Sequence, residues 1–278
     1  MEYVNEGRAT GSRYRSGGPA GVRGKRVLVT GGTRGLGERI VRLLLAEGAL
    51  VATCARGESG LASLRSSLDE ESRGRLLTEV LDVVEPDRLE DFASTATKRF
   101  GGALDGVVAC VGGSRGGRLE QSAAQDWTAT WELNAGHTAR LVRAALPGLR
   151  AAGGGSVVVI ASISGWKPGP YAQYGVAKAA QIHLATTLAR ELGPDRIRVN
   201  AVSPGSMLIP GRRWDRMRVE EPEAYAAFTA TELPGGEPVT PEEVAEVVAF
   251  LLSDASSGVS GANLPVDRGQ NSPTPEGY

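Results

Sequence analysis

The sequence predicts an α/β fold, a doubly wound parallel sheet of seven strands with helices on both faces, and three observations carry that prediction. Short β-branched runs alternate with longer segments whose apolar residues recur three and four apart, the pattern of strand-helix-strand units. The first such run leads directly into a glycine-rich turn and a helical segment. The chain has 278 residues, 41% hydrophobic and 23% charged, near the upper limit for one hydrophobic core, which favours one large domain over two.

Taken in order, strands are expected at 27–30, 50–54, 76–81, 106–111, 156–161, 197–202 and 262–266, each rich in Val, Ile, Leu or Ala. Helical spacing fills 37–47, 86–100, 123–149, 172–192 and 241–252, for about six helices in all. Residues 1–22 are rich in Gly, Arg and Ser and show no hydrophobic period, so a disordered N-terminal tail is expected there. The folded domain spans 23–270, and 271–278, with two Pro and a Gly, reads as a C-terminal tail.

A formal net charge of -1 argues against a nucleic-acid partner. Apolar runs such as 157–160 fall far short of the roughly 18 residues a membrane helix requires. No apolar stretch follows the early arginines, so they do not read as a secretory signal, and a cytoplasmic location is expected. Cys54 and Cys110 lie in apolar segments, where a reduced Cys behaves as a small hydrophobe. His137 and His183 have no partner at ligand spacing, so no metal site is expected and both read as structural. No Gly-x-Ser-x-Gly elbow is present, which argues against a serine hydrolase.

The residues with chemical promise lie at the ends of the expected strands. Thr30-Gly31-Gly32-Thr33-Arg34-Gly35-Leu36-Gly37 joins strand to helix, where backbone N–H groups can approach a pyrophosphate at the positive helix end, as in a Rossmann-type, dinucleotide-binding fold. The second strand ends Cys54-Ala55-Arg56, without the acid that would accept bonds from an adenosine ribose. Arg34 and Arg56 instead put two guanidiniums near the place of an NADP 2′-phosphate; the alternative is that both are solvated surface charges. Tyr174 and Lys178 are four apart in a helical segment and share a face, so an ammonium can draw a phenol toward neutral titration. Ser162 ends the strand twelve residues earlier, where a hydroxyl can donate to a carbonyl oxygen or simply shape a turn. Asn134 sits inside a helical segment, where it can cap, kink or bind water.

In sequence order these motifs resemble the short-chain dehydrogenase/reductase family over about residues 24–270. The family's Thr-Gly-x-x-x-Gly-x-Gly corresponds to Thr30–Gly37, its Asp-Val to Asp82-Val83, its Asn-Ser-Tyr-Lys tetrad to Asn134, Ser162, Tyr174 and Lys178, and its Pro-Gly segment to Pro204-Gly205. The resemblance implies cofactor contacts from Gly31, Thr33, Arg34, Gly35, Leu36, Gly37, Arg56, Asp82, Val83, Gly112, Tyr174, Lys178, Pro204, Gly205 and Met207. It implies hydride transfer between NADPH and a small carbonyl substrate: Tyr174 as acid, Ser162 polarising the carbonyl, Lys178 on the ribose and Asn134 positioning a relay water. It also implies a homotetramer or homodimer.

Two positions depart from the family pattern. Ala109-Cys110-Val111-Gly112 stands where Asn-Asn-Ala-Gly is common, and Ile209 where a Thr is often found, leaving Ser206 or backbone groups to hold the carboxamide. Residues 206–236 are expected to form a substrate lid; Trp214, Tyr225 and Phe228, with Arg212, Arg213, Arg216 and Arg218, suggest an aromatic or extended keto compound. An amphipathic lid helix balanced by Glu220, Glu221 and Glu223 would carry the same residues. Residues 54–61 also resemble aromatic-polyketide ketoreductases, which points to natural-product biosynthesis. The alternatives are a 3-oxoacyl-carrier-protein reductase, an NAD(P)-dependent alcohol dehydrogenase working oxidatively, and a cofactor-binding regulator, which would not need the tetrad.

Overall fold

The computed structural model describes residues 21–272. Nearly all of both expected tails, residues 1–20 and 273–278, lies outside the described residues. The ordered chain starts slightly earlier than expected: Val22, assigned to the tail by composition, is fully buried against the sheet.

Seven parallel strands form one sheet: β1 Arg26–Thr30, β2 Leu50–Ala55, β3 Leu76–Val80, β4 Gly106–Ala109, β5 Gly155–Ile160, β6 Ile197–Pro204 and β7 Asn263–Val266, in the order β3-β2-β1-β4-β5-β6-β7. The chain winds outward from β1 to β3, returns to β4 and winds the other way. The reversal between β1 and β4 opens a crevice at the strand C-termini, where ligands bind in open sheets of this kind. Strand side chains alternate between faces. Leu28, Val107, Val157 and Val199 enter one core beside α4 Pro86–Arg99, α6 His137–Ala151 and α7 Ala172–Leu192. Val27, Val108, Val158 and Val202 enter the other, beside α1 Gly35–Ala46 and α10 Pro241–Leu252. Phe92 of α4 is the largest fully buried side chain, and truncating it to Ala would cost about 3–5 kcal/mol.

Two differences from the sequence expectation have physical causes. Two short helices, α2 Glu58–Ser66, which starts in the strand-to-helix stretch 54–61, and α3 Glu70–Gly74, were not among the segments of helical spacing; they bury only Leu61, Leu64 and Ser72, too little to register as an apolar period. The expected helix over 123–149 is two helices, α5 Ala124–Trp131 and α6, joined by a π-turn at Glu132–Gly136 in which the His137 N–H reaches back to the Glu132 carbonyl. Residues 206–236 contain α8 Arg213–Glu220 and α9 Pro222–Glu232, and the base of this excursion is closed by a parallel bridge between Met207 and Val239.

Candidate active site

β1 ends at Thr30, and Gly31 turns the chain with φ +78°, a conformation that glycine adopts without strain. Its N–H donates to Cys54 O at 3.0 Å, tying the turn to β2. A Cβ on Gly37 would overlap the Gly31 carbonyl oxygen, so the turn and α1 pack closely only with glycine there. Arg34, the N-cap residue, makes no side-chain cap bond, so the first-turn N–H groups at Gly35, Leu36 and Gly37 have no helical acceptor. Together with the helix dipole they form an anion-binding end.

Around this turn, Arg34 lies near Arg56 and Arg212; partial burial and the two neighbouring charges lower the pKa of its guanidinium. Among the described residues Arg34 has no acidic partner, and the carboxylate of Asp82 stands 3.9 Å from Arg56. Asp82 also accepts the Val84 N–H at 3.3 Å, and Val83 is buried. Arg212, expected only as a lid charge, is therefore part of the cationic group; its place beside Arg34 has no signature in local sequence.

At the Asn-Asn departure the hydroxyl of Thr30 accepts the N–H groups of Cys110 at 3.0 Å and Val111 at 3.4 Å. A Cβ on Gly112 would lie 2.7 Å from Asn134 Oδ1 and 3.0 Å from Lys178 Nζ, so this glycine lets β4's end touch both. At the far side of the crevice β6 ends at Pro204, and Gly205 donates to Val266 O at 3.1 Å. Ser206 is buried and its Oγ accepts from Gln270 Nε2 at 2.9 Å. Ile209 packs on Gly35 rather than presenting a hydroxyl to the crevice.

The four tetrad positions converge below β5. Ser162 follows the strand, and its Oγ accepts the Ser164 N–H at 3.1 Å, which leaves the hydroxyl hydrogen to donate. Tyr174 lies in the first turn of α7 with its phenol beside Ser162. Lys178, one turn on, is buried; its ammonium donates to Ile160 O at 2.9 Å and Gln181 Oε1 at 2.8 Å and lies 5.6 Å from the Tyr174 ring centre. Burial raises the Tyr174 phenol above its ordinary range, with the neighbouring Ser162 hydroxyl opposing it. The sequence expectation was the reverse, a phenol lowered by Lys178. Desolvation is the larger influence on the phenol, and the same burial lowers the Lys178 ammonium from 10.5 to about 7.

Asn134 occupies the π-turn. Its Nδ2 donates to Thr130 O at 2.7 Å and Gly113 O at 2.8 Å, and its Oδ1 accepts the Gly113 N–H at 3.2 Å. Its backbone carbonyl accepts from Thr138 Oγ1 at 2.8 Å and Gln181 Nε2 at 3.3 Å. Gln181 and Gln173 were not singled out in the sequence. Gln173 is buried and donates to Arg115 O at 2.7 Å and Gly117 O at 3.0 Å, fixing the loop after β4 to α7 beside Tyr174. The available signal was a polar amide on the core-facing side of a helix.

The structural histidines divide. His183 is exposed, whereas His137 is buried with Nδ1 bonded to Leu133 O at 2.8 Å and Nε2 without a partner. Burial lowers the His137 pKa to about 3.

Comparison with known proteins accounts for this constellation. The family described as enoyl-(acyl carrier protein) reductase matches residues 31–271. The chain belongs to the short-chain dehydrogenase/reductase family. It is 34% identical to the isoepoxydon dehydrogenase of Penicillium expansum, covering 90% of this chain and 95% of that one. It is 31% identical to a 3-oxoacyl-[acyl-carrier-protein] reductase of Vibrio cholerae, covering 89% and 98%. Among solved structures, the L-sorbose reductase of Gluconobacter frateurii, complexed with NADPH and L-sorbose, superposes with a TM-score of 0.85 at 30% identity, covering 92% of this chain and 99% of that one. As a short-chain dehydrogenase/reductase, the chain is a nicotinamide-dependent oxidoreductase acting on CH–OH or C=O groups. No helix among the described residues is long and apolar enough to cross a membrane.

Proposed function

We propose that this enzyme is an NADPH-dependent ketoreductase that reduces a carbonyl of a small, polyketide-like natural-product intermediate to an alcohol. The observation that carries the reading is the Ser162-Tyr174-Lys178 cluster, a protonated phenol with a donor hydroxyl and a buried ammonium beside it. The uncapped N–H groups of α1 fit a pyrophosphate. Arg34, Arg56 and Arg212, with Ala55 where an acid would favour NAD, fit a further phosphate. A bound nicotinamide would supply the hydride. Ser162 donates to the substrate oxygen and Tyr174 gives that oxygen its proton as the alkoxide develops. Lys178 has one N–H left after Ile160 and Gln181, and this donor would hold the cofactor ribose.

The lid supports a ring-shaped or extended substrate through Trp214, stacked on Phe228 at 4.0 Å, with Arg213 between Trp214 and Tyr171. The isoepoxydon dehydrogenase relative supports a natural-product pathway, and the Vibrio cholerae relative favours 3-oxoacyl-carrier-protein reduction as the second reading. We further propose a cytoplasmic homotetramer or homodimer, built through α5, α6 and α7; the exposed Trp131 and Val176 on these helices support such an interface.

The test is a panel of cyclic ketones, carrier-bound 3-oxoacyl thioesters and alcohols assayed with both cofactors by nicotinamide absorbance. Ketone reduction with NADPH preferred is expected; turnover of alcohols with NAD alone would overturn the reading.

A further inference from the structure

We infer that Gln181 is a positioning residue of this active site, its amide holding the Lys178 ammonium and tying it to the Asn134 carbonyl. The inference rests on the reading of Lys178 given under Proposed function. Gln181 is fully buried, and a buried amide is tolerated only when its polar atoms are matched. Here every one is. Oε1 accepts from Lys178 Nζ at 2.8 Å, and the two Nε2 hydrogens go to Thr138 Oγ1 at 2.9 Å and Asn134 O at 3.3 Å. The orientation is unambiguous, because a turned amide would set its NH₂ against an ammonium and its oxygen against a carbonyl.

Two consequences follow for the chemistry. The Asn134 carbonyl accepts from Thr138 Oγ1, Gln181 Nε2 and the His137 N–H, so the amide of Gln181 is anchored on an atom that the π-turn itself holds in place. The amide does not pass protons on, so Lys178 exchanges its proton on the side of its third N–H. The other titratable groups that face Lys178 are neutral through the working range: Tyr174 on its own helix, Cys110 after β4, whose thiol burial pushes up to about 12, and His137 on α6, held down at about 3. Among the described residues Gln181 is thus the one side-chain acceptor that favours the charged amine.

The chain contains four lysines, Lys25, Lys98, Lys167 and Lys178, so each can be followed separately. The experiment is a pH titration of ¹³C-labelled lysine side chains by NMR on the cofactor-free protein, with Lys178→Met assigning the signal, beside kcat/KM against pH. In Gln181→Leu the Lys178 midpoint should fall by about one pH unit, a tenfold loss of proton affinity, and in the near-isosteric Gln181→Glu it should rise by about as much. The alkaline limb of kcat/KM should move with it in each variant. If Gln181→Leu does not fold, the upward shift in Gln181→Glu decides alone. An unmoved midpoint in both variants, even with activity lowered at every pH, would overturn the inference. Midpoints that shift while the rate profile stays fixed would support the role of Gln181 and overturn the catalytic reading of Lys178.

Discussion

The cluster below β5 and the lid over the crevice are built by opposite rules. Around Lys178, the side chains of Asn134, Thr138 and Gln181 are buried and each polar atom has a partner. The lid helices α8 and α9 contain no buried residue. They are held by a stacked Trp214–Phe228 pair, by Arg213 across Trp214 and Tyr171, and by an ion pair from Lys167 to Glu232 at 2.6 Å. Contacts of that exposed kind contribute on the order of 0.5–1 kcal/mol each, whereas unpairing a buried charge or amide costs several times more. Reaction chemistry therefore resides where substitution is most damaging, and substrate choice resides where it is cheap to change.

The largest expected effect breaks the buried side. Tyr174→Phe keeps the ring and removes the acid, so kcat should fall by about a hundredfold or more with NADPH affinity nearly unchanged; near-normal kcat would contradict the assignment. Lys178→Ala should lower kcat by about tenfold or more and weaken NADPH binding as well, since it removes the ribose donor and leaves Gln181 Oε1 unpaired. A fluorescence titration of NADPH beside steady-state kinetics separates the two variants.

At the crevice edge, where charges are only partly buried, the effect should be intermediate. Arg34→Ala and Arg56→Ala should each reduce the preference for NADPH over NADH by roughly tenfold while leaving NADH kinetics alone. Equal loss with both cofactors would place these arginines on the shared pyrophosphate instead.

A pH experiment sharpens the same contrast through stability. His137 has its pKa lowered from 6.5 to about 3, so the stability linked to its neutral form is present above about pH 6.5 and is lost as pH falls toward 3. Tm should drop across that window, and His137→Leu should flatten the drop as measured by calorimetry. The smallest effect belongs to the lid: Trp214→Ala should raise KM for ring-shaped ketones several-fold and leave Tm nearly unchanged, because the residue covers no core.

The contrast also explains what could be read from the sequence. Apolar runs such as Val157–Val159 announce strands because both faces are buried, and the glycine turn and the Tyr174–Lys178 spacing are local in the chain. The π-turn was not legible, since an extra residue in one turn leaves the apolar spacing of α5 and α6 individually intact. Gln181 and Arg212 were not legible either. Each matters through a partner that only folding supplies, Asn134 lying 47 positions before Gln181 and Arg34 lying 178 positions before Arg212.

The π-turn at Glu132–Gly136 has a further meaning when the two helices are regarded as one rod carrying a phase shift. One extra residue in a rod of 3.6 residues per turn rotates everything beyond it by about 100°. The α5 segment can thus address the loop after β4 through Thr130, whose hydroxyl accepts the Arg115 N–H at 2.9 Å, while α6 addresses the sheet through Leu141 and Ala145. Deleting a single residue from the turn would cancel the shift. Helix content would be preserved almost entirely, yet the Asn134 side chain would swing off Gly113 and its carbonyl would return to the helical ladder, disconnecting Gln181 and with it Lys178.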